Sequence, residues 1–147
     1  MKQEILKKTQ QYSSFTSECL SEMVKIPSMS GEEKEVMEKV SELLDKAGIQ
    51  NHWTDGLGNV IAKIGSGKKV LAIDAHIDTV DTGDVSQWEL DPFSGTIKDG
   101  YVHGRGTVDQ QGGAASMITA ARILQEMNYD GDWTIYFTFT IMEEDAD

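Results

Sequence analysis

Side chains suited to metal binding or proton transfer come directly after the apolar run of residues 70–76. The run ends in His76, and Asp78 follows two residues later. Residues i and i+2 of an extended segment point to the same side, so Asp78 is placed to accept an imidazole N–H from His76. The second ring nitrogen is then left for a metal ion. Because the pattern is short and common, an ordinary polar loop after a strand is the alternative at this point.

A glycine-rich segment, residues 104–113, reads GRGTVDQQGG and places Asp109 just before a predicted helix. Its four glycines in ten residues indicate unusual backbone angles or a close approach of other groups. Asp109 is either an N-cap of that helix or a ligand of a bound ion. A phosphate-binding loop is disfavoured, because the spacing differs from G-x-x-x-x-G-K-[ST] and no lysine follows.

Two adjacent carboxylates, Glu143 and Glu144, follow the predicted strand 133–142. Adjacent carboxylates repel each other, and a bound metal ion relieves the repulsion. A solvated acidic tail is the alternative, since charge runs are usually exposed. The position of the pair directly after a long strand of buried type weakens that alternative.

The elements that must position these residues alternate between helices and strands. This order predicts an α/β fold with a mostly parallel mixed sheet flanked by helices. Ser30 and Glu33 have the spacing of a capping box at the start of a helix that ends at Gly48. The apolar run 70–76 is typical of a buried central strand. The other predicted helices are residues 4–25 and 114–127, and the other predicted strands are residues 52–55, 59–64, 96–98, 101–103 and 133–142.

The composition excludes several classes of protein. The chain has 147 residues, about the length of one domain, and a net charge of −12, which disfavours a nucleic-acid partner. No apolar run approaches the ~18 residues of a membrane span, and the N-terminus lacks the apolar core of a signal peptide. The single cysteine, Cys19, is expected to be a core residue of a cytoplasmic protein. His52 and His103 are expected to be surface or partly packed side chains.

Taken together, the order H-x-D, G-R-G-x-x-D-x-x-G-G and E-E after a strand resembles one family. It is the co-catalytic di-zinc exopeptidase and amidohydrolase family of acetylornithine deacetylase, succinyl-diaminopimelate desuccinylase and the bacterial carboxypeptidases. Residues 26–33 (IPSMSGEE), 56–60 (GLGNV) and 88–95 (WELDPFSG) add to the resemblance, which covers essentially the whole chain. The stretch 88–93 and the Glu-Glu-Asp ending look closest to the branch linked with selenium metabolism.

The resemblance implies a role for each candidate residue. His76 would bind one metal ion, Glu144 would bind another, and Asp109 would bridge the two. Asp78 would orient His76, and Glu143 would be the general base that activates a water. Zinc is the expected metal, with cobalt or manganese as alternatives. The implied reaction is hydrolysis of an amide or peptide bond in a small peptide or an N-acyl amino acid, as in a deacetylase.

Two departures from the family pattern lead to further expectations. Gln111 stands where the family often has lysine, and family members are typically more than twice as long. Residues 1–147 are therefore expected to be the N-terminal part of a catalytic domain, without the lid domain and without later acidic and histidine ligands. The chain alone should bind zinc weakly, hydrolyse little and self-associate or pair with a missing C-terminal segment. The resemblance also implies a cis peptide bond between Asp109 and Gln110.

Two other functions are compatible with the sequence. One is a catalytically incomplete remnant that binds only a metal or a partner. The other is an acidic α/β binding module without any metal, in which the acidic motifs are helix caps and a tail. A downstream segment that supplies a carboxylate and a histidine would distinguish the enzyme from the remnant. Metal content that is unchanged in a His76→Ala variant would favour the binding module.

Overall fold

A computed structural model describes residues 2–145, in which helices pack against a mixed β-sheet. Among these residues, no helix is long and apolar enough to cross a membrane. The helices are α1 (Lys2–Gln11), α2 (Ser13–Val24), α3 (Lys34–Lys46) and α4 (Gln111–Glu126), with a 3₁₀ turn at Val85–Gln87. The strands are β1 (His52–Thr54), β2 (Val60–Ile64), β3 (Lys69–His76), β4 (Thr96–Lys98), β5 (Tyr101–His103) and β6 (Trp133–Thr140).

The main sheet has the strand order β1-β2-β6-β3 in the described part of the chain. Strand β6 pairs with β3 in parallel, and α4 connects the two along the chain. The hairpin of β1 and β2 joins the other side of β6 in antiparallel orientation. The predicted α/β class with a mixed sheet is confirmed. The parallel share is smaller than expected, because the β1–β2 hairpin contributes two antiparallel pairings to the main sheet, beside the parallel pairing of β3 with β6.

The prediction that residues 70–76 form a buried central strand is wrong for the sheet of residues 2–145. Strand β3 lies at one end of the strand order, and its first six residues are exposed. The central position belongs to β6, which has a neighbour on each side. An apolar run indicates that a strand can be buried in a sheet. The pairing of strands that are distant in sequence decides which strand takes the central position.

The core lies between the helices and one face of the sheet. Alternate residues of β6, among them Phe137 and Phe139, point into it, as do Val60 and Ala62 of β2. The helical stripe of α3 is buried as its spacing predicts. On the opposite face of the sheet, the side chain of Tyr136 in β6 is half-buried. The α3 side chains in the core are Val36, Met37, Val40, Leu43 and Leu44.

Cys19 is fully buried on α2, as predicted for a core residue. Burial raises the pKa of its thiol to about 12, so the thiolate that a nucleophile requires is not formed near neutral pH. The β4–β5 hairpin also forms as predicted. Its turn residues Asp99 and Gly100 both have positive φ, as a two-residue hairpin turn requires.

The predicted helix 4–25 is divided into α1 and α2 at Tyr12. The Tyr12 hydroxyl donates to both carboxylate oxygens of Glu126 on α4, at 2.6 and 2.7 Å. The Arg122 guanidinium lies over the Tyr12 ring, 4.2 Å from its centroid. These tertiary contacts anchor the junction on α4, and they come from residues more than a hundred positions away. Periodicity within the helix therefore does not reveal the break.

Glu126 joins α1 to α4, and Glu126→Gln is expected to lower the free energy of unfolding by about 1 kcal/mol. Its carboxylate accepts hydrogen bonds from Lys8 at 2.8 Å, from Tyr12 and from Arg122 at 3.1 Å. These bonds lower the pKa of Glu126 from 4.5 to about 2. Since folding lowers the pKa of Glu126, its stabilising effect is fully present at pH values above the pKa of the unfolded chain. The effect is lost as the pH falls toward 2.

Urea unfolding of the two proteins at pH 7 and at pH 3 measures this effect. The difference in free energy of unfolding between wild type and Glu126→Gln should be smaller at pH 3 than at pH 7. Glu35→Gln, which removes an exposed carboxylate of α3, is the matched control and should change little. An equal difference at both pH values would contradict the assigned cause.

Candidate metal centre

The three predicted segments meet at the carboxyl ends of β3 and β6. His76 is the last residue of β3 and pairs in register with Thr140, the last residue of β6. Glu143 and Glu144 follow within four residues, while Asp109 lies in the loop before α4. Because parallel strands end at the same edge of a sheet, residues far apart in the chain come together there.

His76, Asp109 and Glu144 form a set of metal-ligating side chains. Their ligand atoms all lie within 4.8 Å of one another. The His76 Nε2 is 3.0 Å from an Asp109 carboxylate oxygen and 3.6 Å from Oε2 of Glu143. One imidazole and two carboxylates suit zinc or a similar divalent ion. The structure thus brings together all three predicted metal ligands and the predicted base.

Burial and surrounding charge act in opposite directions on His76, which is 3% exposed. Burial lowers its pKa, but the hydrogen bond to Asp109, the Asp78 carbonyl and the charges of Asp78 and Glu143 together raise the pKa above 6.5. The ring therefore lies in a negative field, and such a field also attracts a metal cation.

Asp78 is fully buried, and its carboxylate mainly holds the loop after β6. It accepts hydrogen bonds from the Ser30 hydroxyl at 2.7 Å and from the backbone N–H groups of Glu143 and Glu144 at 3.1 and 2.9 Å. Burial raises the pKa of Asp78, but these bonds and His76 lower it more. The ionised form is therefore the one that the site favours.

The contact between Asp78 and His76 differs in detail from the sequence expectation. The nearer acceptor for Nδ1 of His76 is the Asp78 backbone carbonyl at 3.1 Å, while carboxylate Oδ1 lies at 3.5 Å. The carboxylate is drawn toward the loop amides, which lie closer to it. Both contacts leave Nε2 directed at Asp109 and Glu143.

The predicted capping box of Ser30 and Glu33 does not form. Helix α3 begins at Lys34, and Glu33 occupies the N-cap position without a side-chain cap. The Ser30 hydroxyl donates to Asp78, and Oε1 of Glu33 accepts from the backbone N–H of Met142 at 3.0 Å. Sequence analysis therefore missed that both residues contact the site. The only indication of this contact in the sequence was that both residues lie in the segment 26–33, which contributes to the family resemblance.

The peptide bond between Asp109 and Gln110 is cis, as predicted. Gln111, the departure from the family pattern, is buried behind the site. Its side-chain amide donates to the Ile77 carbonyl at 3.0 Å and to the Ser28 hydroxyl at 3.2 Å. Gln111 thus joins the start of α4 to the segments that carry Ser28 and His76.

The other candidate residues lie away from this cluster. His52 is 3.1 Å from Asp45, and His103 lies on β5, so neither belongs to the metal-ligating group found among residues 2–145. Asp145 is exposed and is not part of that group either. Asp147 follows two residues later and lies outside the described residues.

Known proteins resemble the chain in sequence and in structure. It is 41% identical over 143 residues to the uncharacterized protein YgeY of Escherichia coli K12, covering 97% of this chain and 36% of that one. It is 40% identical over 128 residues to a probable succinyl-diaminopimelate desuccinylase of Staphylococcus epidermidis, covering 85% of this chain and 32% of that one.

Among solved structures, the YXEP protein of Bacillus subtilis is described as a dinuclear metal binding peptidase from the M20 family. It matches with a TM-score of 0.68 and 26% identity, covering 92% of this chain and 37% of that one. The chain spans about a third of the length of the curated relatives it matches. The sequence model of "Peptidase family M20/M25/M40" matches residues 72–147, the part that holds His76, Asp109 and Glu144. The chain belongs to peptidase family M20/M25/M40.

Proposed function

We propose that this chain provides catalytic residues for metal-dependent hydrolysis of amide or peptide bonds in small peptides or N-acyl amino acids. The observation that carries the proposal is the convergence of His76, Asp109 and Glu144 within 4.8 Å, with Glu143 3.6 Å from His76. Ligands and a general base at one edge of a sheet are what hydrolysis through an activated water requires.

Each residue has a distinct role in the proposed reaction. His76, Asp109 and Glu144 would hold two divalent ions, with Asp109 shared between them. When bound, the ions would polarise the scissile carbonyl and lower the pKa of the attacking water. Glu143 accepts a proton from this water as its oxygen bonds to the carbonyl carbon. Glu143 then delivers the proton to the nitrogen as the C–N bond breaks, so the base is regenerated.

The positions of the side chains support this division of roles. His76 is buried and held on both ring nitrogens, which suits a fixed ligand. The Glu143 side chain is 61% exposed, so it faces the solvent from which water and substrate arrive. The Glu143 backbone N–H donates to Asp78, so the backbone of Glu143 is held while its carboxylate can accept a proton.

The relatives support the cofactor and the substrate class. The Bacillus subtilis neighbour is a dinuclear metal binding peptidase. The Staphylococcus epidermidis relative is a probable desuccinylase, a name that implies an N-acyl amino acid substrate. From the donor set we propose zinc for this chain.

We further propose that residues 1–147 form the N-terminal part of a catalytic domain, and that later residues complete the coordination of the metals. Three ligands are too few for two catalytic zinc ions, because each normally has three protein ligands, and two ions that share Asp109 would need five. The exposed side chains of Val70, Leu71 and Ile73 on β3 also support a further covering or pairing segment. The alternative is a fragment that binds a metal or a partner without catalysis.

A hybrid protein tests the function. In it, this chain replaces the aligned part of the Staphylococcus epidermidis relative, and the unmodified relative is assayed in parallel. We expect the hybrid to bind divalent metal and to hydrolyse a panel of N-succinyl and N-acetyl amino acids or dipeptides. Because His76 supplies the imidazole ligand, His76→Ala should weaken zinc binding by at least about 100-fold, the upper range for indirect ligand effects.

His103→Ala is the matched control, since it removes an imidazole on β5 outside the cluster, and it should leave zinc binding unchanged. A folded hybrid that binds two metal ions per chain but hydrolyses none of the panel would contradict the hydrolase and favour the binding fragment. Efficient turnover by the 147-residue chain alone would contradict the proposal that later residues are needed. Zinc binding that His76→Ala leaves intact would contradict the metal site itself.

A further inference from the structure

Four consecutive backbone N–H groups after β6 each donate to a side-chain oxygen. The Ile141 N–H donates to Oδ1 of Asn59 at 3.1 Å, and the Met142 N–H donates to Oε1 of Glu33 at 3.0 Å. The next two N–H groups donate to the two carboxylate oxygens of Asp78. The segment 141–144, which carries the proposed base and a proposed metal ligand, is therefore held through its backbone by three side chains from earlier in the chain.

The Asn59 acceptor is itself held in place. Oδ2 of Asp55 accepts from the Asn59 side-chain amide at 3.0 Å. Oδ1 of Asp55 accepts from the backbone N–H groups of Leu57, Gly58 and Asn59. This turn between β1 and β2 fixes the amide so that its oxygen faces Ile141. The segment 56–60, to which the proposed function assigned no role, thus has a physical one.

The Glu33 acceptor is buried, with 4% of its surface exposed. A buried carboxylate is costly unless it is hydrogen-bonded, so its contact with the Met142 N–H indicates a specific role as a hydrogen-bond acceptor. Met142 has a φ of +57°, a conformation that non-glycine residues rarely adopt. A side-chain acceptor at its N–H helps to hold the backbone in this conformation, directly before Glu143 and Glu144.

We propose that Glu33 and Asn59 are positioning residues that set the places of Glu143 and Glu144. They act through the backbone of residues 141 and 142 and complement Asp78, which holds the next two residues. The inference rests on the proposed function, because it assigns them an effect on a metal ligand and on a general base. It explains why the segments 26–33 and 56–60 contribute polar side chains to this edge of the sheet.

Zinc titration of the hybrid protein, with hydrogen exchange of its backbone amides, tests the inference. Glu33→Ala should weaken zinc binding by about 10-fold, the effect expected for groups that orient a ligand. It should also speed exchange of the Met142 amide, while the amide of Phe137 in the core strand stays protected. Glu33→Gln keeps an oxygen acceptor and should restore both quantities, which a role in charge alone would not allow.

Two further variants keep the test decisive. Asn59→Ala should weaken zinc binding and speed exchange at Ile141, and it serves if Glu33→Ala does not fold by circular dichroism. Glu35→Ala removes an exposed carboxylate two residues from Glu33 and should change neither quantity.

The outcomes separate this inference from the proposed function. If wild type binds zinc and His76→Ala does not, but Glu33→Ala and Asn59→Ala bind as wild type does, the inference is overturned and the metal site stands. Faster exchange with unchanged zinc affinity also overturns it, because the contacts would then hold the loop without consequence for its ligand. If the hybrid with the wild-type sequence binds no zinc although it is folded, the metal site and this inference both fail.

Discussion

Glu143→Gln is expected to lower kcat for amide hydrolysis by about 100- to 10,000-fold, the usual contribution of a general base. The glutamine side chain has nearly the same size but cannot accept the proton of the attacking water. Metal content should stay at the wild-type level, because the metal ligands are His76, Asp109 and Glu144 in the proposed site. The measurement is steady-state turnover by the hybrid protein, with bound metal quantified by elemental analysis.

Two neighbouring substitutions make this result specific. Glu144→Gln should lower metal content and activity together, because it weakens a ligand rather than a base. Asp145→Asn removes an exposed carboxylate outside the cluster and should leave both unchanged. Near-normal turnover by Glu143→Gln would mean that another group accepts the proton, and the assignment of the base would then be wrong.

Asp78→Ala is expected to lower the free energy of unfolding by about 4 kcal/mol, because it removes a buried carboxylate that accepts several hydrogen bonds. The substitution leaves the Ser30 hydroxyl and the N–H groups of Glu143 and Glu144 without their acceptor, and it removes the negative charge beside His76. Unpartnered buried donors carry their full desolvation cost. Urea unfolding of the metal-free chain at neutral pH measures the loss.

The conservative variant Asp78→Asn separates charge from shape. It keeps one acceptor oxygen, so we expect a loss smaller than that of Asp78→Ala but still well above zero. Asp130→Ala, which removes an exposed carboxylate in the turn before β6, should change stability little. A loss below about 1 kcal/mol for Asp78→Ala would place this residue among ordinary surface hydrogen-bonding groups, contrary to its burial.

The candidate site shows what can be predicted from local sequence. The candidate residues were identifiable because His76 ends a strand, Glu143 and Glu144 follow one, and Asp109 lies in a glycine-rich segment. Parallel strands end at one edge of a sheet, which brings such residues together. The cis bond after Asp109 followed from the family resemblance and is present in the structure. The catalytic and metal-binding roles of these four residues stay predictions, as does the N-terminal place of the chain within a longer domain.

The residues that hold the site were not predictable in the same way. Ser30 and Glu33 match a local capping pattern, yet they bond to partners 48 and 109 positions away in the chain. A local rule considers only the neighbouring turn and cannot weigh a distant backbone N–H against it. The same limit explains the division of the first helix at Tyr12, whose hydroxyl partner lies on α4.

Local patterns in the sequence specify the types of element, the α/β class and the chemistry available at the strand ends. Periods of 3.6 and 2 residues and the turn residues are local properties, so they can be read without knowing the fold. The order of strands depends on tertiary pairing, which makes β6 central and β3 an edge strand within residues 2–145. The tertiary structure also decides which side chains accept the four N–H groups of residues 141–144, because such acceptors are chosen by proximity in space.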